Sequence, residues 1–505
     1  MDLIAAEGAG LQAVEIQASL RFALAAGDLV ALAASKLLTP VASRAQTRRD
    51  ALFDTSGFAL AAHGLVLRAS KTRSGARAAL LREDGRVEAQ ARNSSGSCPD
   101  PAAFGAEWEA ALSPVLAGAP LLPLAEIRLK RTACQFGDTM LVFETGYLAS
   151  DGRRLEVHEL ELSGPVSALP DAALMLAAQA PLRLQPEALE TRALRLAGAP
   201  PPAVEKAGAG LAGDPCLDDA VHGIISACLA QFRANMAVFL AGGDAMGAVH
   251  QMRVALRRLR SALELFSSAL PAPEFSVLRA EAKRIASALG EARNWDIFLA
   301  FLHAGPSAAF PDEPGFTALE AQSAAHREAG HRQARALLDD PATTRFLLMA
   351  EAVIAKRAWR GNLPAESLPI LAAPARDFGA ECLEHLYRKV RKRGRHLAAL
   401  PAHDRHQLRI KLKKLRYAAE FFGPLFAPRR RVKAFNAATA ALQEELGKLN
   451  DMATAKALAL NLKADEPEVV RALGIVLGWT AHAEQGEPRA LSAAWEDFEK
   501  TKLFT

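Results

Sequence analysis

The feature that most constrains the fold of this chain is a repeat. Residues 250–266, HQMRVALRRLRSALELF, align without gaps to residues 406–422, HQLRIKLKKLRYAAEFF, and nine of the seventeen positions are identical. Most of the others exchange arginine for lysine or one apolar residue for another. A second echo follows each copy: Leu289-Gly290 ahead of Arg293-Asn294, and Leu446-Gly447 ahead of Asn450-Asp451. The first pair is offset by 156 residues and the second by 157. Two echoes at nearly one spacing imply a duplicated structural unit.

At 3.6 residues per turn each copy resolves into two stripes. Met252, Leu256, Leu259, Leu263 and Phe266 form an apolar stripe suited to a core. His250, Arg253, Arg257, Arg260 and Glu264 form the other, and His406, Arg409, Lys413, Arg416 and Glu420 reproduce it. From His250 to Arg260 the helix rises roughly 15 Å, enough to follow several units of a linear anion. Arg258 and Lys414 stand beside the stripes.

A single basic helix is ordinarily a solvated face, and such faces mix signs through pairs four residues apart. Here residues 250–260 carry four arginines and no acid, and 388–416 carry twelve Lys or Arg against one acid, Asp404. Self-repulsion of that kind costs stability unless an anion neutralises it. Arginine forks and lysine point charges both suit phosphate oxygens, so the pattern predicts a surface for a multivalent anion. His250 and His406 either gain charge beside the anion or stay neutral and hydrogen-bond; both roles are open at this stage. Nucleic acid is the competing polyanion. Only Tyr417 lies near a stripe, whereas single strands call for a series of stacking aromatics. No helix-turn-helix, zinc-finger or RNA-binding signature is recognisable.

Net charge is only +5 over 505 residues, so the basicity is local. The five cysteines are scattered without a C-x-x-C pair, which argues against a zinc ribbon or a disulfide framework and suits a reducing cytoplasm. No arginine precedes Arg21, so the basic start of a signal peptide is missing. No uncharged apolar run approaches about 18 residues. A cytoplasmic chain with no membrane partner is expected.

The pattern changes near residue 200. Period-two alternation at 14–17, 64–68, 139–144 and 157–162 predicts strands, with turns at 74–75, 84–85 and 151–152. Helices are expected near 104–117 and 171–179. Residues 197–215, rich in Ala, Gly and Pro, form a linker. From Leu217 onward the pattern is helical, with breaks near 241–243, 271–273, 305–314, 362–366, 401–403 and 423–428. The fold class is therefore α+β in two domains: an antiparallel β domain over 1–196 and an all-α duplicated bundle over 216–505.

The repeated helices, with LGEARNWD and LQEELGKLND after them, resemble the CHAD domain, a conserved-histidine α-helical domain. The resemblance covers about residues 215–500. It implies two pseudo-symmetric bundles around a basic channel that binds inorganic polyphosphate, with no cofactor and with polyphosphate granules as a place of action. Carried onto this chain, the channel residues are His250, Arg253, Arg257, Arg260, His406, Arg409, Lys413 and Arg416, with Arg258 and Lys414 beside them.

The first half resembles a CYTH domain in EIQASLRF, LFDTSGFALAAHGLVLRASK, IRLKRT and HELEL, in that order. That resemblance implies a β-barrel tunnel acting on triphosphates with Mg²⁺ or Mn²⁺. Its catalytic or metal-holding candidates are Glu15, Glu159 and Glu161, and its triphosphate candidates are Arg68, Arg128 and Lys130. Strand alternation puts Glu159 and Glu161 on one face, and Arg128 and Lys130 together on another strand. The chain departs from the family at Gln17, Ser19, Ser70 and Thr191, which stand where the family has an acid or a base. Together these changes imply an inactive or much altered tunnel, retained as a scaffold or ligand-binding domain. A metal-dependent triphosphatase is the alternative, and nucleic-acid binding by the basic surface is a second.

Overall fold

The computed structural model describes residues 17–40, 45–72, 75–93, 98–208, 210–485 and 488–505. Glu15 and the first three residues of the strand expected at 14–17 lie outside the described residues, and Gln17 opens the first strand. The chain forms two compact units: residues 1–201 with 339–356, and residues 202–338 with 357–505.

In the first unit the alternating stretches become β1 (Gln17–Ala23), β2 (Thr39–Pro40), β3 (Gln46–Asp54), β4 (Leu65–Thr72), β5 (Gly75–Arg82), β6 (Val87–Asn93), β7 (Leu122–Phe136), β8 (Thr139–Ser150), β9 (Arg153–Pro165) and β10 (Arg183–Leu184). Its helices are α1 (Ala26–Ala33), α2 (Ala59–Ala62), α3 (Ala106–Leu116), α4 (Leu169–Ala177) and α5 (Leu189–Leu196). Asp151 and Gly152 take φ of 46° and 76° in the turn between β8 and β9. Two left-handed residues are what a tight turn between right-twisted strands requires, and Asp-Gly supplies them.

The strands form one antiparallel sheet in the order β10-β1-β9-β8-β7-β3-β4-β5-β6, with β2 paired to β7. The expected barrel is not closed: β10 and β6 are its two edges, and no pairing joins them among the described residues. Helix α5 lies against the sheet interior instead. Its Leu189, Ala193 and Leu194 pack with Leu52, Ile127, Leu129, Leu148 and Val157.

A second core gathers Phe22, Leu141, Leu160 and Leu162 of the sheet with Leu29, Leu32, Leu169 and Leu176. It also takes Leu348, from α11 (Pro341–Ala355), which belongs to this unit although it is distant in sequence. Thr344 Oγ1 accepts a hydrogen bond from the Leu184 N–H at 2.8 Å, and Lys356 pairs with Asp171 at 2.6 Å. Asp340 caps α11 through the Ala342 N–H at 2.7 Å, with Pro341 in the first turn.

The second unit comprises α6 (Leu217–Leu240), α7 (Ala245–Phe266), α8 (Pro273–Ala304), α9 (Pro306–Ala309), α10 (Gly315–Leu338), α12 (Pro369–Ala372), α13 (Ala375–Gly394), α14 (Ala402–Phe422), α15 (Arg429–Ala459), α16 (Pro467–Gln485) and α17 (Pro488–Lys500). Expected breaks near 241–243, 271–273 and 423–428 separate α6 from α7, α7 from α8 and α14 from α15. Helix α6 is long and apolar enough to cross a membrane by composition, yet Val221, Ile225, Leu229, Phe232 and Met236 are buried within the unit. Residues 202–208, in the stretch read as a linker, belong to this unit. Asn235 holds Glu205 by its backbone, accepting from the N–H at 3.2 Å and donating to the carbonyl at 2.8 Å.

The duplicated apolar stripe is buried in both copies. Met252, Leu256, Leu259, Leu263 and Phe266 are at most 1% exposed, and their equivalents Leu408, Leu412, Leu415, Ala419 and Phe422 are at 0%. Each large side chain so buried contributes roughly 1.5–3 kcal/mol. With the apolar stripe fixed in the core, the basic stripe on the same helix is held at a set angle from it.

Candidate functional site

The basic stripes of α7 and α14 meet at a cavity of about 300 Å³. His250, Arg253 and Arg257 line it from α7, and Arg409 and Lys413 from α14. The second echo supplies the remaining polar wall, with Arg293 and Asn294 on α8 and Asn450 and Asp451 on α15. Five Lys or Arg side chains therefore face a single carboxylate, that of Asp451.

The glycines of the echo make room for the arginines of the stripe. A Cβ on Gly290 would stand 2.7 Å from Arg253 Nη1, and one on Gly447 would stand 4.0 Å from Arg409 Nη2. Arg253 lies across α8 and donates to the Ala286 carbonyl. Gly290→Ala is expected to displace the Arg253 guanidinium while leaving the fold intact, because the clash is with the far end of a flexible side chain. Polyanion affinity should fall about tenfold, the scale of one charge-assisted hydrogen bond. A calorimetric titration with an unchanged melting temperature checks this.

The electrostatics record a positive field short of counter-charge. Burial, then Arg409 and Arg257, push the Lys413 ammonium down to about 7. Burial, then Arg293, Arg257 and Arg253, push His250 down to about 4. Burial, with Arg257 and Arg293, lowers Arg253 to about 10. Arg260, Arg293 and Arg409 are lowered as well, with burial the largest cause in each. These shifts all oppose the charged form, and a bound anion would reverse them. The buried Nε atoms of Arg257, Arg260 and Arg409 have no hydrogen-bond partner among the described residues.

Three further cavities adjoin the first, and Arg257 lines all four. One, of about 770 Å³, takes Arg253, Arg260, Gly290, Asn294 and His326; His326 stacks on Trp295 at 4.4 Å. Another, of about 660 Å³, takes Arg260, Glu264, Arg279, Lys283, Lys413 and Lys414. The last, of about 560 Å³, takes Lys206, His250, Arg258, Arg416, Glu420, Arg429 and Lys433.

The sequence stripes thus converge, with exceptions. His406 is exposed and lines none of these cavities. Arg258, Lys414 and Arg416 are each tied to a glutamate: Arg258 to Glu420, Lys414 to Glu264 at 2.6 Å, and Arg416 to Glu420 at 2.9 Å. Sequence reasoning passed over Arg279, Lys283 and Arg293. All three lie on the α8 face that carries Gly290, so helical periodicity counted from that glycine would have found them.

The interior of the first unit carries a different chemistry. Arg21 pairs with Glu144, Glu159 and Glu161, and Arg131 with Glu144 and Glu161. Arg48 pairs with Asp50 and Glu190, and Arg68 with Glu190 at 2.6 Å. Arg192 of α5 closes on Glu159. Arg48 and Arg68 offset the burial of Glu190 and hold its carboxyl down at about 2.

Arg128 and Lys130 require correction. Both are exposed on the outer face of β7, Arg128 pairing with Glu126 at 2.6 Å, while the alternation turns Arg131 toward the network. The donor set does not fit a divalent ion with a triphosphate. Asp50, Glu144, Glu159, Glu161 and Glu190 are each held by guanidinium groups, which compete directly with a metal. Among the described residues no group of three or more His, Cys, Asp or Glu is placed to hold a metal ion.

A duplicated all-α unit that turns paired basic helices onto one cavity defines the class. Residues 223–460 match the CHAD domain, and the chain belongs to the CHAD domain family. The crystal structure of the CHAD domain from the plant Ricinus communis is similar at 30% identity and a TM-score of 0.51, over 60% of this chain and 98% of that one. PptA from Streptomyces chartreusis is similar at 19% identity and a TM-score of 0.42, over 56% of this chain and 99% of that one. An adenylate cyclase-like protein from Bacillus halodurans is similar at 16% identity and a TM-score of 0.21, over 30% of this chain and 80% of that one. No curated protein matches the chain.

Proposed function

We propose that this protein binds inorganic polyphosphate, or a linear condensed phosphate of similar spacing, in the cavity between the repeated helices. The observation that carries the reading is the set Arg253, Arg257, Arg293, Arg409 and Lys413 around one space with Asp451 as its one carboxylate. Phosphate oxygens supply the missing acceptors, and each neutralised phosphate releases condensed counterions. The adjoining cavities at Arg257 extend the basic surface in more than one direction, which favours a chain over a single phosphate. Binding needs no cofactor. Polyphosphate granules in the cytoplasm are the proposed place of action.

The test is a titration of the full chain with long-chain polyphosphate at 50 and 200 mM salt, with DNA and RNA as competitors at equal phosphate concentration. Affinity is expected to fall steeply with salt, by roughly 10³ or more if six phosphates are engaged. Nucleic acid is expected to compete weakly. Equal competition would shift the reading to nucleic acid, and absence of binding at low salt would end it.

Triphosphate hydrolysis by the first unit is the alternative, and the paired carboxylates of its interior speak against it. Tripolyphosphate with Mg²⁺ or Mn²⁺ is expected to release no phosphate above background.

A further inference from the structure

Glu264 and Glu420 close the two basic stripes in sequence, and each reaches across to the other helix, Glu420 while also holding Arg416 of its own stripe at 2.9 Å. Glu264 takes the ammonium of Lys414 at 2.6 Å, and Glu420 takes the guanidinium of Arg258. Under the repeat offset of 156 residues, Arg258 is equivalent to Lys414 and Glu264 to Glu420. Each helix therefore gives its base to the other helix's acid. Contacts that exchange in this way mark an approximate twofold relation between α7 and α14. A third contact obeys it too: Phe266 and Phe422, themselves equivalent, meet edge-on with centroids 6.4 Å apart.

The two arms differ in burial. Arg258 is 7% exposed and lies over the Phe421 ring at 5.0 Å, whereas Lys414 and Glu264 are at the surface, with side chains 33% and 45% exposed. We propose that the reciprocal ion pairs are a brace that sets the spacing and rotation of α7 and α14, and so the fit of their basic stripes to an extended phosphate chain. This rests on the polyphosphate reading of the cavity. Arg258 and Lys414 are then positioning residues, which hold the ligand-facing Arg253, Arg257, Arg409 and Lys413 in place.

The sign of a charge change separates the brace from a general field effect. Glu264 and Glu420 both stand at basic cavities, so removing either acid raises the local positive potential. A field effect predicts tighter polyphosphate binding by Glu264→Lys and Glu420→Gln. The brace predicts weaker binding, by about tenfold for Glu420→Gln, the scale of coupling between contacting residues. The exchanged pair Glu264→Lys with Lys414→Glu, unchanged in net charge, is expected to recover affinity to within about twofold of the natural chain, as the pair interaction is restored.

Spin labels at exposed Met246 on α7 and Ile410 on α14 report the interhelix distance without ligand. The distribution is expected to broaden in Glu264→Lys and to narrow again in the exchanged pair. Should Glu420→Gln fail to fold, the exposed Glu264–Lys414 arm decides the matter. Tighter or unchanged binding by Glu264→Lys, or a distance distribution that does not respond, overturns the brace. If the natural chain does not bind polyphosphate the proposed function fails, and the distance measurement still decides whether the brace exists.

Discussion

Alanine at both Arg253 and Arg409 is expected to weaken binding of long-chain polyphosphate by two orders of magnitude or more. The two residues are repeat equivalents, and each lies over the glycine of its own echo at the wall of one cavity. A hydrogen bond to a charged partner contributes about 1.5–3 kcal/mol, so two such losses amount to roughly 10²–10⁴ in affinity. The slope of log affinity against log salt should fall as well, by about one per phosphate contact removed. Stability of the empty protein is expected to hold or rise, because burial and like charges already lower the pKa values of both arginines. An affinity and a salt slope both unchanged in the double variant would remove these residues from the site.

The second large effect is on pH. The Lys413 ammonium is pushed down to about 7 by burial, Arg409, Arg257 and Arg253, with Asp451 partly opposing them. His250 and Arg293 line the same cavity. A polyanion in this space favours the protonated amine, so binding takes up a proton whenever Lys413 is neutral in the empty site. Affinity is therefore expected to fall as pH rises above about 7, whereas below 7 Lys413 adds no further change and any remaining gain comes from His250 as pH falls toward 4. The decline approaches tenfold per pH unit until the pKa of the bound state is reached. Titrations in buffers of differing ionisation enthalpy would register the proton uptake, and Lys413→Arg should abolish both the uptake and the decline. A pH-independent affinity between 7 and 9 would contradict the assignment.

The same groups make the empty fold depend on pH. For Lys413 the folded pKa lies below the unfolded value, so the unfolded chain binds more protons and stability rises as pH climbs from about 7 toward 10.5. For His250 the corresponding window runs from about 4 to 6.5, and stability is lost as pH falls through it. Polyphosphate should shift the best-tolerated pH downward by favouring the charged forms.

The helical site was legible because a repeat exposes geometry that one copy leaves ambiguous. Arg253 and Arg409 could be paired before any coordinates, since they align in the repeat and precede a Leu-Gly echo by 36 and 37 residues. Glu264 and Glu420 fell at stripe positions by helical angle, and nothing in either helix alone says that each reaches across to the other. His406 occupies the same stripe position as His250 but is exposed, because equivalence in sequence does not guarantee an equivalent neighbour in space. In the β unit, Glu159 and Glu161 could be placed on a strand, but their partner Arg21 comes from β1, more than a hundred residues earlier. Alternation puts Arg128 and Lys130 on one face of their strand and leaves open whether that face is inner or outer; the buried Ile127 and Leu129 fix it as the outer one.

The helix at Pro341–Ala355 alters how this protein can be made. Its Leu348 completes a core otherwise built from residues 22–182, although residues 202–338, emerging from the ribosome in between, belong to the other unit. Synthesis therefore cannot finish the N-terminal unit before much of the helical one has appeared. At roughly 5–20 residues per second, the wait between residues 201 and 356 is on the order of ten seconds or more. During that interval the side of α4 that this helix covers stays open, so a chaperone or early folding of the helical segment has a defined period in which to act. Cutting the gene at the Ala-Gly-Pro stretch would divide this core in both products, leaving one fragment without its last helix and the other with an orphaned one.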